Sequence, residues 1–217
     1  AMNTGFTLGK TTAATMSVPN NSITPNSSRS DAYYLQGAAT SIEVSRNMDI
    51  TAFASYRKID ATLNKDGTIK TLLKTGYHRT ESEMQRKHNA SQTTTGGNIR
   101  WHSGGWHVGL TGVYTAYSDS LKPDKRQAYR KYNPTGIHFY NTSIDYGYIN
   151  HRMNINGETA LNDKGAVATI NAITLKASQS LTLTAIQRFY SYRYYSMFSS
   201  AFSDGGKVQN ESGIYLG

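Results

Sequence analysis

The chain has 217 residues, a hydrophobic fraction of 37%, a net charge of +9, 16 Tyr, 19 Gly and no Cys. That length suffices for one sizeable core, but the apolar fraction is below that of an ordinary globular domain. Disulfide frameworks and thiolate metal sites are excluded, and so is a helical membrane protein, because no apolar run approaches the ~20 residues a membrane helix needs.

The N-terminus, Ala1-Met2-Asn3-Thr4, has no basic region followed by an apolar core, so no signal peptide is visible. For an exported protein this implies a mature chain or a fragment. Strands are expected at 4–14, 32–45, 48–59, 94–102, 106–117, 139–150, 153–160, 166–177, 181–192 and 208–216. The clearest have period two. Met48, Ile50, Ala52, Ala54 and Tyr56 oppose Asp49, Thr51 and Ser55, with Phe53 as the exception, and Trp106, Val108, Leu110 and Tyr114 oppose His107, Gly109, Thr111 and Thr115. Further along, Tyr140, Ile144, Tyr146 and Tyr148 oppose Asn141, Ser143, Asp145 and Gly147, and Leu181, Leu183, Ala185 and Phe189 oppose Thr182, Thr184 and Arg188. The strands at 4–14, 32–45 and 166–177 alternate poorly, with Ala38-Ala39 and Ala172-Ile173 placing small or apolar residues on both faces.

The joints between strands fall into two classes. Arg46-Asn47, Ser103-Gly104-Gly105, His151-Arg152 and Ser178-Gln179-Ser180 are short and carry residues suited to tight turns. Their counterparts at 17–31, 60–93, 118–138 and 193–207 are long, while 161–165 is a short exception at the same end. Short turns at one end and long loops at the other describe an antiparallel up-and-down meander of about ten strands, the wall of a transmembrane β-barrel, partial or open. Mean hydropathy conceals the apolar half of such a wall, because lipid-facing and lumen-facing residues alternate.

Charge is concentrated in the long loops. Residues 57–92 hold eight Lys/Arg against four Asp/Glu, and residues 118–138 hold five against two, which together supply +7 of the net +9. At an outer surface they suit lipopolysaccharide phosphates or anionic solutes. Within 60–93, Thr80-Glu81-Ser82-Glu83 has the form of a capping box and predicts a short helix, either decorating the rim or narrowing the mouth.

Five charges fall in mid-strand: Asp49, Arg100, Asp145, Glu158 and Arg188. They would be awkward in the core of a soluble β-sandwich, the competing architecture, and are ordinary in a hydrated lumen. They are expected on the inner face as a paired polar network with a structural or selectivity role. The histidines at 78, 88, 102, 107, 138 and 151 lack metal-site spacing, although His102 and His107 flank one hairpin and can meet across it. No Gly-x-Ser-x-Gly elbow is present and no Ser/His/Asp triad is nominated. The pI of 9.6 admits nucleic-acid binding, but no helix-turn-helix, zinc knuckle or Walker-type loop accompanies it.

The C-terminal half carries Tyr129-Arg130-Lys131-Tyr132-Asn133-Pro134, Ser143-Ile144-Asp145-Tyr146-Gly147-Tyr148, Gly157-Glu158-Thr159-Ala160 and Gln187-Arg188-Phe189-Tyr190-Ser191-Tyr192-Arg193-Tyr194-Tyr195, then Phe202-Ser203-Asp204-Gly205-Gly206. With Gly76-Tyr77-His78-Arg79-Thr80, these resemble a family of outer-membrane-like β-barrel proteins from Bacteroidetes, commonly labelled by an N-terminal helix-hairpin-helix segment. That segment is absent from these residues, so a nucleic-acid role attached to the label does not carry over. The resemblance implies fold and location alone, with no catalytic or binding residues to transfer. The resulting expectation is a single barrel region over 1–217, a fragment of a longer barrel whose last residues, Gly213-Ile214-Tyr215-Leu216-Gly217, stop in mid-strand. Its expected role is a solute channel or a structural and assembly component of the outer membrane, not an enzyme, without cofactor or metal. Its expected partners are outer-membrane lipid and lipopolysaccharide. The alternatives are a barrel hydrolase acting on lipids and a soluble β-sandwich binding module.

Overall fold

The computed structural model describes residues 34–73, 77–126, 130–199, 201, 203 and 208–217. The expected strand at 4–14 and the loop at 17–31 lie outside the described residues. In chain order the elements are β1 (Gly37–Ser45), β2 (Met48–Ile59), β3 (Ala61–Leu63), β4 (Ile69–Leu72), α1 (Glu81–Met84), β5 (Ala90–Ser103), β6 (Trp106–Leu121), β7 (Gly136–Ile149), β8 (Met153–Asn162), β9 (Val167–Lys176), β10 (Thr182–Tyr190) and β11 (Glu211–Leu216). The sheet runs β1-β2-β5-β6-β7-β8-β9-β10-β11, each strand antiparallel to the next. It is an all-β meander with almost no helix. Among the described residues the sheet is not closed, and its main path ends at β1 and β11.

The short joints lie together at one end. Gly104 and Gly105 take φ of 57° and 88°, the left-handed values that a two-residue hairpin needs, and this is why glycine occupies both positions. Adjacent turns are latched to each other: Asn47 Nδ2 donates to the His102 carbonyl at 2.7 Å, and His102 N–H donates to the Asn47 carbonyl at 2.8 Å. The long connections after β2, β6 and β10 leave from the opposite end. The one after β2 holds the β3–β4 hairpin, where the sequence predicts only a loop; its turn is marked by Asp66-Gly67, with Gly67 at φ 78° and Asp66 Oδ1 accepting from Thr68 N–H at 3.1 Å. The capping box of α1 is formed, with Thr80 Oγ1 accepting from Glu83 N–H and Glu83 Oε2 accepting from Thr80 N–H. No residue of this helix is buried, so it decorates the rim.

The two faces of the sheet are inverted relative to a soluble fold. Thr51, Ser55, Thr94, Thr111, Thr115, Asn141, Ser143, Asn156 and Thr184 are buried, whereas Leu110 is 56% exposed, Ile144 43%, Leu183 48% and Ile214 75%. The poor alternation at Ala172-Ile173 has a local cause. Ala172 joins Ala160, Ala168, Ile170 and Ile186 in an apolar patch on the otherwise polar face, packed under Tyr194, while Ile173 stays on the exposed face. Rings gather toward both ends of the exposed face, Trp106 against Tyr148 near the short turns and Tyr114 against Tyr140 near the long loops, with centroids 4.6 and 4.9 Å apart.

Candidate functional site

The strand register puts all five mid-strand charges in one row across the polar face. Asp49 stands opposite Arg100, Arg100 opposite Gly109, Gly109 opposite Asp145, and Asp145 opposite Glu158. The row continues through Ile170 to Arg188 and Gly213, and begins one strand earlier at Glu43. Residues opposite one another share a face, so a charge placed at this level on one strand stands beside its neighbours' charges. Gly109 makes room within the row: a Cβ there would collide with the Asp145 carboxylate, which lies over it. From that position Asp145 is attracted by Arg100 and repelled by Glu158, with His107 Nε2 at 4.0 Å. His102 and His107 are register partners two residues toward the short-turn end, and the His107 ring lies over Gly147 in the same way.

Arg188 finds a partner that the sequence reading did not name. Its Nε lies 2.5 Å from Glu211 Oε1, with the two side chains only 11% and 15% exposed. Glu211 sits at the start of β11, opposite Tyr190, so the pair is diagonal and depends on how the preceding connection sets the β10–β11 register. The described residues of that connection form no strand or helix. Nothing in its composition fixes the register, and only the acidic residue at the strand start hinted at a partner.

A second site lies at the long-loop end of the same face. The connection after β10 folds inward: Tyr194 and Tyr195 are 1% and 9% exposed, and the Tyr195 carbonyl accepts from Asn141 Nδ2 at 3.0 Å. The Tyr195 hydroxyl donates to Asp163 in the short turn between β8 and β9, and burial, then that bond and the Asp163 charge, hold this phenol far above its usual range. The ring packs edge-on against Phe139, which packs edge-on against Tyr117. Ala61, Ile69, Ala90 and Leu121 complete this small core, so the β3–β4 hairpin also covers this end of the polar face. The hairpin and Tyr194-Tyr195, and not α1, cover it.

Between these elements lies a cavity of about 500 Å³. Arg57, Lys70 and Arg130 line it together with Asp60, Tyr117 and Tyr195. Arg57 Nε donates to Gln92 Oε1 at 3.0 Å, which fixes its guanidinium. Asp60 is committed elsewhere, with Oδ2 at 2.6 Å from His78 Nε2 and Oδ1 accepting from His88 N–H at 2.8 Å. Burial raises its pKa, but those partners outweigh burial and hold the carboxyl below its usual range. Among the described residues no group of three or more His, Asp or Glu gathers as a metal site, and no helix is long and apolar enough to cross a membrane. No protein-family model, no curated protein and no solved structure matches this chain.

Proposed function

We propose that the chain is part of the wall of an outer-membrane β-barrel, as its resemblance to the Bacteroidetes barrel family implies, acting as a solute channel or as a structural component of the envelope. One observation carries this reading: in the middle of the sheet one face buries Thr51, Ser55, Thr94, Thr111, Asn141, Ser143 and Glu158, while the opposite face leaves Ile99, Leu110, Ile144 and Leu183 exposed. In water such a face is unfavourable, at about 25 cal/mol per Å² of apolar surface left uncovered. In lipid it is the required arrangement. The 14 residues of β5, 16 of β6 and 14 of β7 exceed the ~9–11 a tilted strand needs to cross a bilayer. From Trp106 to Tyr114 the strand advances about 26 Å, less in height once tilted, which suits rings at the two interfaces.

The basic loops are the outward-facing surface in this reading. Their carboxylates are largely occupied, since Asp66 pairs with Lys122 at 2.9 Å, Asp124 with Arg126 at 2.6 Å and Glu83 with Arg79 at 4.0 Å. The basic excess of these loops suits lipopolysaccharide phosphates. A soluble sandwich would need a second sheet over the apolar face, and the described residues form one.

Leu110→Arg tests the proposal. At the bilayer midplane it should destabilise the folded protein by about 2–4 kcal/mol. On the surface of a soluble protein the same change at a half-exposed position stays within about 0.5 kcal/mol. Urea titrations in detergent micelles, alongside membrane fractionation of the parent protein, distinguish the two. A neutral Leu110→Arg or recovery in the soluble fraction overturns the barrel.

A further inference from the structure

We propose that the exposed apolar face carries a contact for a second copy of this chain, centred on Asn171 and Gln187. The inference rests on the barrel reading, because it takes that face to lie in lipid.

Two side-chain amides interrupt the face. The register that sets Val108 beside Tyr146 carries on through Gly157 and Asn171 to Gln187 and Ile214, so both amides share a row with exposed apolar residues. Every other Asn or Gln in the strands of the main path, from Gln92 to Asn162, belongs to the polar face. Around the two amides the surface is apolar. Ile173 and Leu175 follow Asn171 along β9, and Leu183 and Phe189 lie to either side of Gln187 on β10, all of them exposed. Lipid tails offer no hydrogen bonds, so an amide on such a face has to find its partners in protein.

Most of that demand is met within the chain. The Tyr146 hydroxyl donates to Asn171 Oδ1 at 2.5 Å, and Asn171 Nδ2 donates to Gln187 Oε1 at 2.8 Å and to Thr169 Oγ1 at 3.2 Å. The Thr159 and Thr169 hydroxyls share a further bond at 3.0 Å. Gly157 leaves room for this relay, since a Cβ there would collide with both Asn171 Oδ1 and the Tyr146 ring. The relay ends at Gln187. Its Oε1 has accepted one bond and keeps a second lone pair, and nothing among the described residues accepts from its Nε2.

An amide that offers a donor and an acceptor together is its own complement. With two copies related by a two-fold axis, Gln187 of each donates to Oε1 of the other, and one patch serves both sides, as an isologous interface requires. Ile173, Leu183, Phe189 and Ile214 surround the amide and supply the packing that, with hydrogen bonds, drives association inside a bilayer.

The experiment measures the oligomeric state of the full chain, refolded in detergent micelles and inserted into lipid vesicles. The wild type should form a dimer. Gln187→Leu should raise the dimer dissociation constant about tenfold, because the symmetric change removes two neutral hydrogen bonds at once. The same variant should withstand at least as much urea as the wild type, which separates a lost contact from a lost fold. The chain has no Cys, so single cysteines report position cleanly. A short bismaleimide should link Gln187→Cys into dimers. Val108→Cys, four strands away along the same row and so about 19 Å distant at the ~4.8 Å strand spacing, should stay unlinked. A vesicle-inserted monomer, a Gln187→Leu dimer as tight as the wild type, or equal linking of Val108→Cys overturns the inference and leaves the barrel standing. Failure of the wild type to enter vesicles overturns both.

Discussion

Glycines on the polar face act as seats for neighbouring side chains, and their cost of replacement differs by position. At Gly147 a Cβ would press on the His107 ring and lie 2.6 Å from the Ile155 carbonyl oxygen, which belongs to backbone and does not yield easily. At Gly112, which lies on the opposite, exposed face, a Cβ meets nothing within 4 Å. Gly147→Ala is therefore expected to destabilise the protein by about 1–3 kcal/mol, as overpacking does, and Gly112→Ala to be near neutral. Urea titration of both variants checks the contrast. The Arg188–Glu211 pair gives a second test at this scale. Removing one partner of a buried ion pair leaves an uncompensated charge, at about 3–5 kcal/mol, while replacing both by apolar groups is often neutral. Arg188→Met alone should lower stability strongly, and adding Glu211→Leu should restore most of the loss. Equal stability of the single and double variants would show that the pair is not coupled.

Among the elements, the α1 segment that follows the β3–β4 hairpin is held by Asp60. Its carboxylate holds the His78 ring and the His88 amide, and Ala61 N–H is tied to Asn89 Oδ1 at 3.0 Å. Because the folded pKa of Asp60 is depressed below its ordinary 3.8, the stability it contributes is present in full above that value. It is lost as pH falls through the lower folded pKa. Hydrogen exchange at the His88 amide should stay slow at neutral pH and speed up below about pH 4; exchange independent of pH, after correction for intrinsic rates, would remove Asp60 as the anchor. The hairpin itself was hard to read from sequence. Its strands have three and four residues, too few to display a period, and only Asp66-Gly67 signals the turn. By contrast, Met48–Ile59 was legible to the residue, because alternating Met48, Ile50 and Ala52 against Asp49 and Thr51 is a pattern that one face in water or lipid imposes. The inward fold of Tyr194 and Tyr195 was not legible. Two tyrosines in a polar loop carry no sign of which face they cover until Asn141 and Phe139 are placed beneath them.

Across the whole molecule, charge is segregated along the strands. The row at the level of Gly109 holds the carboxylates of Glu43, Asp49, Asp145 and Glu158 against the guanidinium groups of Arg100 and Arg188, and Arg188 is already paired with Glu211. The long-loop end, eight residues further along β6 at Tyr117, carries Arg57, Lys70 and Arg130. At ~3.3 Å per residue the two levels are about 26 Å apart along the strand, well beyond the ~8–10 Å Debye length at physiological salt, so neither screens the other's local field. An anion entering from that end would therefore meet repulsion before it could pass, and a cation would meet a favourable potential at the row. If the parent protein is a barrel that conducts, it should prefer cations, with a reversal potential in a salt gradient displaced toward that of the cation. Asp145→Asn combined with Glu158→Gln removes two of the four carboxylates and should move the reversal potential toward zero. The double variant must first match the wild type in heat-modifiable electrophoretic mobility, because Asp145 also lies over Gly109 and its loss can loosen the wall. A wild-type barrel that prefers chloride, or a folded double variant with unchanged selectivity, would mean that the row does not face the permeation path. A parent protein that folds in bilayers and conducts nothing would remove the channel and leave the wall as a structural component of the envelope.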